Sequence, residues 1–231
     1  MQEVFLKQDK LDFRSLEAIK TLRTNVEFSG TNVKTVLFTS TTPGEGKSTV
    51  SFELARSFAQ AGRKTLLLDL DLRKSVMKGR YKRGRVRYGI SHYLIGKVEI
   101  DDVLCFTDIP NLFLVFAGPV PPNPSELLHG ERFEEFMTKA KEIFDFIVID
   151  TPPIGSVIDA AIVSKHCDGG IIVVKSGKIS YRYAKKVKEQ LEMAGCKILG
   201  CVLNQVKING KGYYGKYYGK YYGDYYGEEK Q

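Results

Sequence analysis

The segment TTPGEGKST, residues 41–49, has the residue types and spacing of a loop that holds phosphate. Gly44 and Gly46 allow the backbone to curl so that successive amide groups point at an anion, and the following helix adds its positive N-terminal end. Lys47 is placed to reach the β- and γ-phosphates of a nucleotide, and the Ser48 hydroxyl is placed to ligate Mg²⁺. Thr41 occupies the first position of the loop, where glycine or alanine is usual. The segment predicts a nucleotide site.

Three acidic residues end predicted strands and are candidates to complete this site. Asp69 and Asp71 lie in LLLDLDLR, residues 66–73, and Asp150 ends FIVID, residues 146–150. We expect the first two carboxylates to point to the same side of the sheet, because side chains alternate along a strand. Ligands gather at the carboxyl ends of parallel strands, so all three acids are expected to converge on one Mg-nucleotide. The alternative for each acid is a carboxylate that only caps a turn.

Apolar strands and helices alternate along the chain. Strands are predicted at 34–41, 64–71, 111–118, 145–153, 169–176 and 197–206, and helices at 14–28, 46–62, 130–144, 157–165 and 180–195, with two short ones in GISHYLIG and EIDDVL. Strands that are apolar throughout are buried on both faces. The pattern therefore predicts an α/β fold, a phosphate-loop NTPase with a mostly parallel central sheet flanked by helices on both faces. We expect one domain over residues 1–207 and a tail over residues 208–231.

Composition limits the class of protein. The chain has 231 residues, 43% hydrophobic and 27% charged, which suits one globular domain. No apolar run is long enough to span a bilayer, and the N-terminus lacks the apolar core of a signal peptide, so we expect a cytosolic protein. Its four cysteines form no C-x-x-C pair. They are expected to be buried reduced thiols rather than metal ligands.

The positive charge of the chain is concentrated in RKSVMKGRYKRGRVRY, residues 73–88, called the basic segment below. It contains eight of the 35 Lys and Arg residues and no acid, which equals the whole net charge of +8. One interpretation is a solvated loop. The other is an anion-binding surface for nucleic acid, anionic lipid or phosphorylated protein, formed by Arg80, Lys82, Arg83, Arg85 and Arg87.

The chain ends in four Tyr-Tyr-Gly-x units, between Gly212 and Glu229. These units hold eight of the thirteen tyrosines and no aliphatic residue. Glycine every four residues interrupts helix and strand, so the units are not expected in the core. Two interpretations remain: a low-complexity segment that self-associates by aromatic stacking, or a set of exposed phenols that an enzyme modifies.

PGEGKST, LLLDLDLR and FIVIDTPPI together resemble the Walker A, A′ and B motifs of the bacterial protein-tyrosine kinases that regulate capsule and exopolysaccharide synthesis. NLFLVFAGPVPPNPSELL, YGISHYLIG and the tyrosine-rich C-terminus are also similar to that family. The resemblance covers residues 10–231 and is greatest for the stand-alone type that works with a separate membrane protein. It implies an ATP- and Mg²⁺-dependent protein-tyrosine autokinase that regulates polysaccharide biosynthesis and export.

The resemblance also implies roles for single residues. Asp69 would orient the attacking tyrosine or accept its proton, and Asn204 would contact the adenine. The implied catalytic residues are Lys47, Asp69, Asp71 and Asp150; the nucleotide-binding residues are Gly44, Glu45, Gly46, Lys47, Ser48, Thr49 and Asn204; the metal ligands are Ser48, Asp71 and Asp150. The implied acceptors, phosphorylated in trans, are Tyr213, Tyr214, Tyr217, Tyr218, Tyr221, Tyr222, Tyr225 and Tyr226.

Glu17, Lys20 and Arg23 are similar to a Glu-x-x-Arg-x-x-Arg signature that joins subunits into a ring. Lys20 replaces the middle arginine and cannot form the same bidentate contacts; the alternative is a solvated helix face. The implied partners are other copies of the chain in a ring-shaped homo-oligomer, a membrane-embedded activator that is a polysaccharide co-polymerase, and a cognate tyrosine phosphatase, with no nucleic acid. The implied location is the cytoplasm, at the inner face of the membrane through that partner.

A second function class shares the phosphate loop. Septum-positioning and chromosome-partitioning ATPases hydrolyse ATP as dimer switches, and the basic segment would then bind DNA. Those proteins carry a signature lysine early in the loop, at the position that Thr42 fills here. The missing lysine and the tyrosine-rich tail favour the kinase.

Overall fold

The computed structural model describes residues 2–7, 10–83 and 85–206. Its strands are β1 (Gln2–Leu6), β2 (Thr35–Ser40), β3 (Thr65–Asp69), β4 (Lys82–Arg83), β5 (Cys105–Thr107), β6 (Leu112–Val115), β7 (Phe146–Asp150), β8 (Gly169–Lys175) and β9 (Ile198–Asn204). Its helices are α1 (Phe13–Phe28), α2 (Lys47–Gln60), α3 (Met77–Tyr81), α4 (Ile90–Leu94), α5 (Ile100–Val103), α6 (Pro124–His129), α7 (Glu131–Ile143), α8 (Asp159–Ser164) and α9 (Tyr181–Met193).

The described strands form one sheet in the order β4-β1-β5-β6-β3-β7-β2-β8-β9. The run from β6 to β9 is parallel throughout. Antiparallel pairing occurs at the other end, between β5 and β6 and between β1 and β4. The predicted mostly parallel sheet is therefore confirmed. Because β3, β7 and β2 are adjacent, the loops after them open at one edge of the sheet.

Each central strand is buried on both faces, as its apolar sequence predicts. Leu66 and Leu68 of β3 pack in the core layer with α7 and α9, and Leu67 between them packs in the opposite layer with α2. This alternation follows from the period of two along a strand. The two core layers hold the sheet rigidly between helices, so the residues at the ends of β3 and β7 are fixed in place.

The structure contains elements that sequence patterns did not predict. Strands β1, β4 and β5 are short and lie at one end of the sheet, and α6 begins at Pro124, the last proline of the segment PVPPNP, residues 119–124. The basic segment contains α3 and β4 rather than loop alone. Such short elements carry too little periodicity to be recognised, since pairing with distant residues stabilises them. No helix in the described residues is long and apolar enough to cross a membrane.

Candidate active site

The phosphate loop connects β2 to α2, and two of its glycines have left-handed backbone conformations. Gly44 has φ +82° and Gly46 has φ +86°, values that side chains disfavour. A Cβ on Gly46 would lie 2.2 Å from Nδ2 of Asn204. Helix α2 starts at Lys47, directly after Gly46, so its free amide groups face the loop. The predicted strand, loop and helix are all present.

The side chain of Glu45 holds this loop from inside. Glu45 is 1% exposed, and its Oε2 accepts hydrogen bonds from the backbone N and Oγ1 of Thr41, both at 2.7 Å, and from the backbone N of Thr42 at 2.9 Å. Its Oε1 accepts a bond of 3.3 Å from the backbone N of Lys175 in β8. The sequence predicted only a backbone role for Glu45. The side chain also fixes the shape of the loop against the sheet.

Lys47 contacts two of the predicted metal ligands. Its Nζ donates to Oδ1 of Asp150 at 2.6 Å and to Oγ of Ser48 at 3.3 Å. Lys47 is 6% exposed and Asp150 is 1% exposed. Three residues from the phosphate loop and the end of β7 therefore meet at one point.

Asp69 lies beside Asp150, since the two are register partners on β3 and β7. It is fully buried. Its Oδ2 accepts hydrogen bonds from Ser75 Oγ and from the backbone N of Ala117, and its Oδ1 accepts one of 3.2 Å from the backbone N of Asp71. Burial, and then the charge of Asp150, raise the pKa of Asp69 to about 7.

Asp71 lies outside the strand. Strand β3 ends at Asp69, so the alternation that we expected to orient both carboxylates does not extend to Asp71. The turn orients it instead, with its Oδ1 accepting a bond of 2.9 Å from the backbone N of Lys74. Asp71 lines the cavity described next, whereas Asp69 does not. The two acids therefore have different environments.

A cavity of about 690 Å³ opens over the phosphate loop. Its lining comes from the loop and the start of α2, the turn after β3, α3, the turn after β7 and the end of β9. It includes Lys47, Ser48, Thr49, Asp71, Arg73, Lys74, Arg80, Pro152, Val157 and Asn204. The Asn204 side chain donates a bond of 2.9 Å to the carbonyl oxygen of Glu45. The volume is that of a small-molecule site.

Arg73 fixes the turn after β3 to α8. Its Nε and Nη2 donate to Oδ2 and Oδ1 of Asp159 at 2.8 and 3.0 Å, and Ser125 Oγ donates to the same Asp159 Oδ1 at 2.7 Å. Asp159 is fully buried. A bidentate pair of this kind is directional. The first residue of the basic segment is therefore a structural anchor for the cavity wall.

Glu17, Lys20 and Arg23 lie on α1, away from this cavity. Lys20 Nζ is 2.7 Å from Glu17 Oε1, and Arg23 Nη1 donates to the carbonyl oxygen of Ser57 in α2 at 2.9 Å. Lys20 and Arg23, but not Glu17, also line a groove of about 220 Å³ between α1 and α2. The contacts lie within one chain.

The donor atoms at the site fit Mg²⁺. Ser48, Asp71 and Asp150 supply a hydroxyl and two carboxylates, and Mg²⁺ is usually held by one or two carboxylates together with substrate phosphates and water. Lys47 already brings a cation between Ser48 and Asp150. Within the described ranges, no group of three or more His, Cys, Asp or Glu side chains could hold a metal by itself. The nucleotide phosphates would complete the ligand set.

Two further predictions concern other parts of the chain. The cysteines are free, as expected, and Cys105 and Cys196 are buried. Cys167 is half-buried and Cys201 is exposed on β9, where buried thiols were predicted. Among the described strands β9 is the edge strand, so β8 is the only one of them that pairs with it. The tail, with all eight predicted acceptor tyrosines, lies outside the described residues.

Comparison with known proteins identifies close relatives. The AAA domain family model matches residues 33–194. The chain is 47% identical to the tyrosine-protein kinase CpsD of Streptococcus agalactiae over 205 residues, covering 87% of this chain and 90% of the relative. It is 42% identical to CpsD of Streptococcus pneumoniae over 219 residues, covering 93% and 96%.

Solved structures agree with these relatives. The chimerical protein CapA2B2 superposes with a TM-score of 0.77 at 32% identity, covering 89% of this chain and 94% of that one. The septum site-determining protein MinD of Pyrococcus horikoshii OT3, complexed with Mg-ADP, superposes with a TM-score of 0.64 at 25% identity, covering 76% and 72%. The predicted fold class and the resemblance drawn from the motifs are both confirmed.

Proposed function

The chain belongs to the bacterial tyrosine-protein kinases, nucleotide-binding enzymes with an AAA domain, and we propose that it transfers the γ-phosphate of ATP to tyrosines of its own C-terminal segment. The observation that carries this proposal is the meeting of Lys47, Ser48 and Asp150 beside a cavity that Asp71 also lines. The septum-positioning or partitioning ATPase is less supported, since the curated relatives at 37–48% identity are named as tyrosine-protein kinases.

The phosphate loop holds the triphosphate, and Lys47 exchanges Asp150 for the β- and γ-phosphate oxygens. Ser48, Asp71 and Asp150 hold Mg²⁺, which neutralises phosphate charge when bound. The resemblance assigns acceptance of the tyrosine proton to Asp69, whose pKa of about 7 suits that role. Asp69 is fully buried, so its carboxylate must become accessible when the tyrosine binds. Asn204 contacts the adenine. Phosphoryl transfer needs mainly positioning and charge neutralisation, and these residues supply both.

The acceptors are the eight tyrosines from Tyr213 to Tyr226, offered by the tail (208–231) of one copy to the domain (1–207) of another. Each phosphate adds about −1.5 to −2 charges near neutral pH. Residues 211–231 hold four Lys and three acids. Two or three phosphates therefore reverse the sign of the tail and repel it from a phosphate-filled site, which favours disassembly of the ring formed through Glu17, Lys20 and Arg23.

We further propose capsule or exopolysaccharide biosynthesis as the regulated process. The relatives include the putative tyrosine-protein kinase CapB of Staphylococcus aureus, 37% identical over 206 residues. A membrane-embedded activator would recruit the enzyme to the inner face of the membrane, and a tyrosine phosphatase would reverse the modification.

Intact-mass spectrometry after incubation with Mg-ATP tests the proposal, with Lys47→Met as the matched inactive variant. We expect mass steps of one phosphate each, mapped to Tyr213–Tyr226 and absent from Lys47→Met. The measurement includes a reaction with the activator's cytoplasmic segment added. ATP hydrolysis without tail phosphate in that reaction would overturn the proposal in favour of the ATPase.

A further inference from the structure

Helix α3 lies inside the basic segment and packs against the helix that follows the phosphate loop. The ring of Tyr81 stacks on Phe52 of α2, with centroids 3.9 Å apart and planes 9° apart. Tyr81 is 2% exposed and Phe52 is fully buried. A buried aromatic stack of this kind fixes the orientation of α3 relative to α2. The residue before Tyr81 is therefore held at a defined place beside the phosphate loop.

Arg80 extends from α3 to the wall of the cavity. It is one of the residues that line the cavity, and its Nη1 donates a hydrogen bond of 2.5 Å to Oγ1 of Thr49. Thr49 follows Ser48 in the first turn of α2. A guanidinium carries five N–H donors in one plane, so the bond to Thr49 leaves donors for an anion in the cavity.

Arg80 differs from two other cations of the cavity in its partners. Lys47 is paired with Asp150, and Arg73 is paired with Asp159. Arg80 forms no ion pair with any carboxylate in the part of the chain that the structure describes, and its side-chain partners are the hydroxyls of Thr49 and Tyr81. A guanidinium held at a phosphate cradle without a counterion is suited to an anionic ligand.

We propose that Arg80 binds the α-phosphate of the nucleotide, next to Thr49. In a phosphate loop the lysine reaches the β- and γ-phosphates and the serine reaches the metal. Lys47 and Ser48 are thus assigned to the β- and γ-phosphates and the metal, which leaves the α-phosphate for a donor held beside Thr49, the next residue of α2. This inference rests on the proposed function and adds a contact from outside the three sequence motifs. It also separates Arg80 from Arg83, Arg85 and Arg87, which do not line the cavity.

The α-phosphate is common to ATP and ADP, so Arg80 stabilises both to the same extent. Hydrogen bonds to charged groups contribute enough that the loss of one weakens binding about tenfold. Because the contact stabilises the bound nucleotide equally before and during the reaction, its loss raises KM for ATP and leaves kcat unchanged. A residue with a purely structural role in α3 would not produce this division.

Calorimetric titration with MgADP and with a non-hydrolysable MgATP analogue tests the inference, on full-length wild type, Arg80→Gln and Arg83→Gln at one ionic strength. Arg83→Gln is the matched control, because it removes the same charge from the same segment at an exposed site outside the cavity lining. We expect Arg80→Gln to raise Kd about tenfold for both nucleotides, and Arg83→Gln to stay within about twofold. In tail phosphorylation, Arg80→Gln should raise KM for ATP about tenfold and keep kcat.

Arg80→Met keeps the aliphatic stem and replaces Arg80→Gln if the latter melts at a lower temperature than wild type. Wild-type Kd in the Arg80 variant overturns the inference, as does an equal loss in Arg83→Gln, which would assign the effect to overall charge. Wild type that binds neither nucleotide overturns the proposed function itself. If instead wild type binds both nucleotides and the Arg80 variant binds them equally well, only the inference about Arg80 is overturned.

Discussion

The ammonium group of Lys47 lies 2.6 Å from Oδ1 of Asp150, and the two side chains are 7% and 1% exposed. This pair connects the phosphate loop to the end of β7 across the floor of the cavity. A buried ion pair stabilises a fold only while both charges are present, because the loss of one leaves the other unpaired in a medium of low polarity. The same lysine therefore has a role in stability and a role in phosphate binding.

Lys47→Met is expected to lower the free energy of unfolding by about 3–5 kcal/mol, since it leaves Asp150 buried without its partner. The double variant Lys47→Met/Asp150→Asn should recover most of that loss. Urea denaturation of wild type, both single variants and the double variant measures the coupling between the two residues. Additive effects of the two substitutions would contradict a direct pair. Tail phosphorylation should be absent from both lysine variants.

Asp69 is expected to make stability depend on pH. Its folded pKa, about 7, is above the usual value for aspartate because the group is buried beside Asp150. The folded state therefore holds the proton more tightly, and the stability that this gives is complete below about pH 4 and lost as pH rises through 7. Between pH 5 and 7 wild type should lose up to about 1.4 kcal/mol per pH unit relative to Asp69→Asn. The free energy of unfolding of both proteins is measured by urea denaturation at several pH values. The same pH dependence in wild type and Asp69→Asn would contradict the shifted pKa.

Asp69 and Asp71 are expected to differ in what they do for the reaction. Asp71 lines the cavity and Asp69 lies beneath it, so only Asp71→Asn should raise the Mg²⁺ concentration needed for half-maximal rate. Asp69→Asn should lower kcat for tail phosphorylation by about 100-fold or more, with an unchanged Mg²⁺ requirement, if it accepts the tyrosine proton. Initial rates over a Mg²⁺ series measure both. A raised Mg²⁺ requirement in Asp69→Asn would exchange the two assignments.

Glu45→Gln is expected to disturb the phosphate loop although it changes a single atom. An amide in place of the carboxylate turns an NH₂ group either toward the donors of Thr41 and Thr42 or toward the backbone N of Lys175. Each buried donor left without an acceptor lowers the free energy of unfolding by about 1–3 kcal/mol. We expect that loss in urea denaturation, together with weaker MgADP binding. Glu142→Gln, on the exposed side of α7, is the control and should match wild type.

Sequence patterns predicted most of the fold because the central strands are apolar throughout and the helices that cover them are long. They also predicted that the phosphate loop lies close to the acidic residues that follow β3 and β7, because a phosphate loop and the ends of adjacent parallel strands must share one edge of the sheet. They missed side-chain partners far away in sequence. Arg73 and Asp159 are 86 residues apart, and Glu45 depends on β8, 130 residues later. Such contacts leave no local periodicity.

The last strand leads the chain to the phosphate loop, since Asn204 donates to the carbonyl oxygen of Glu45 and Gln205 donates to that of Gly44. Tyr213 follows Gln205 by eight residues, and eight residues extend at most about 29 Å. Tyr213, the first of the proposed acceptors, is therefore joined to the phosphate loop of its own chain by a short linker. A short tether corresponds to an effective concentration of about millimolar, which dilution of the protein does not change. Under the proposed phosphorylation in trans, the tail of a neighbouring copy competes with the local tail only when the copies are held together, so assembly would decide which tyrosines enter the site.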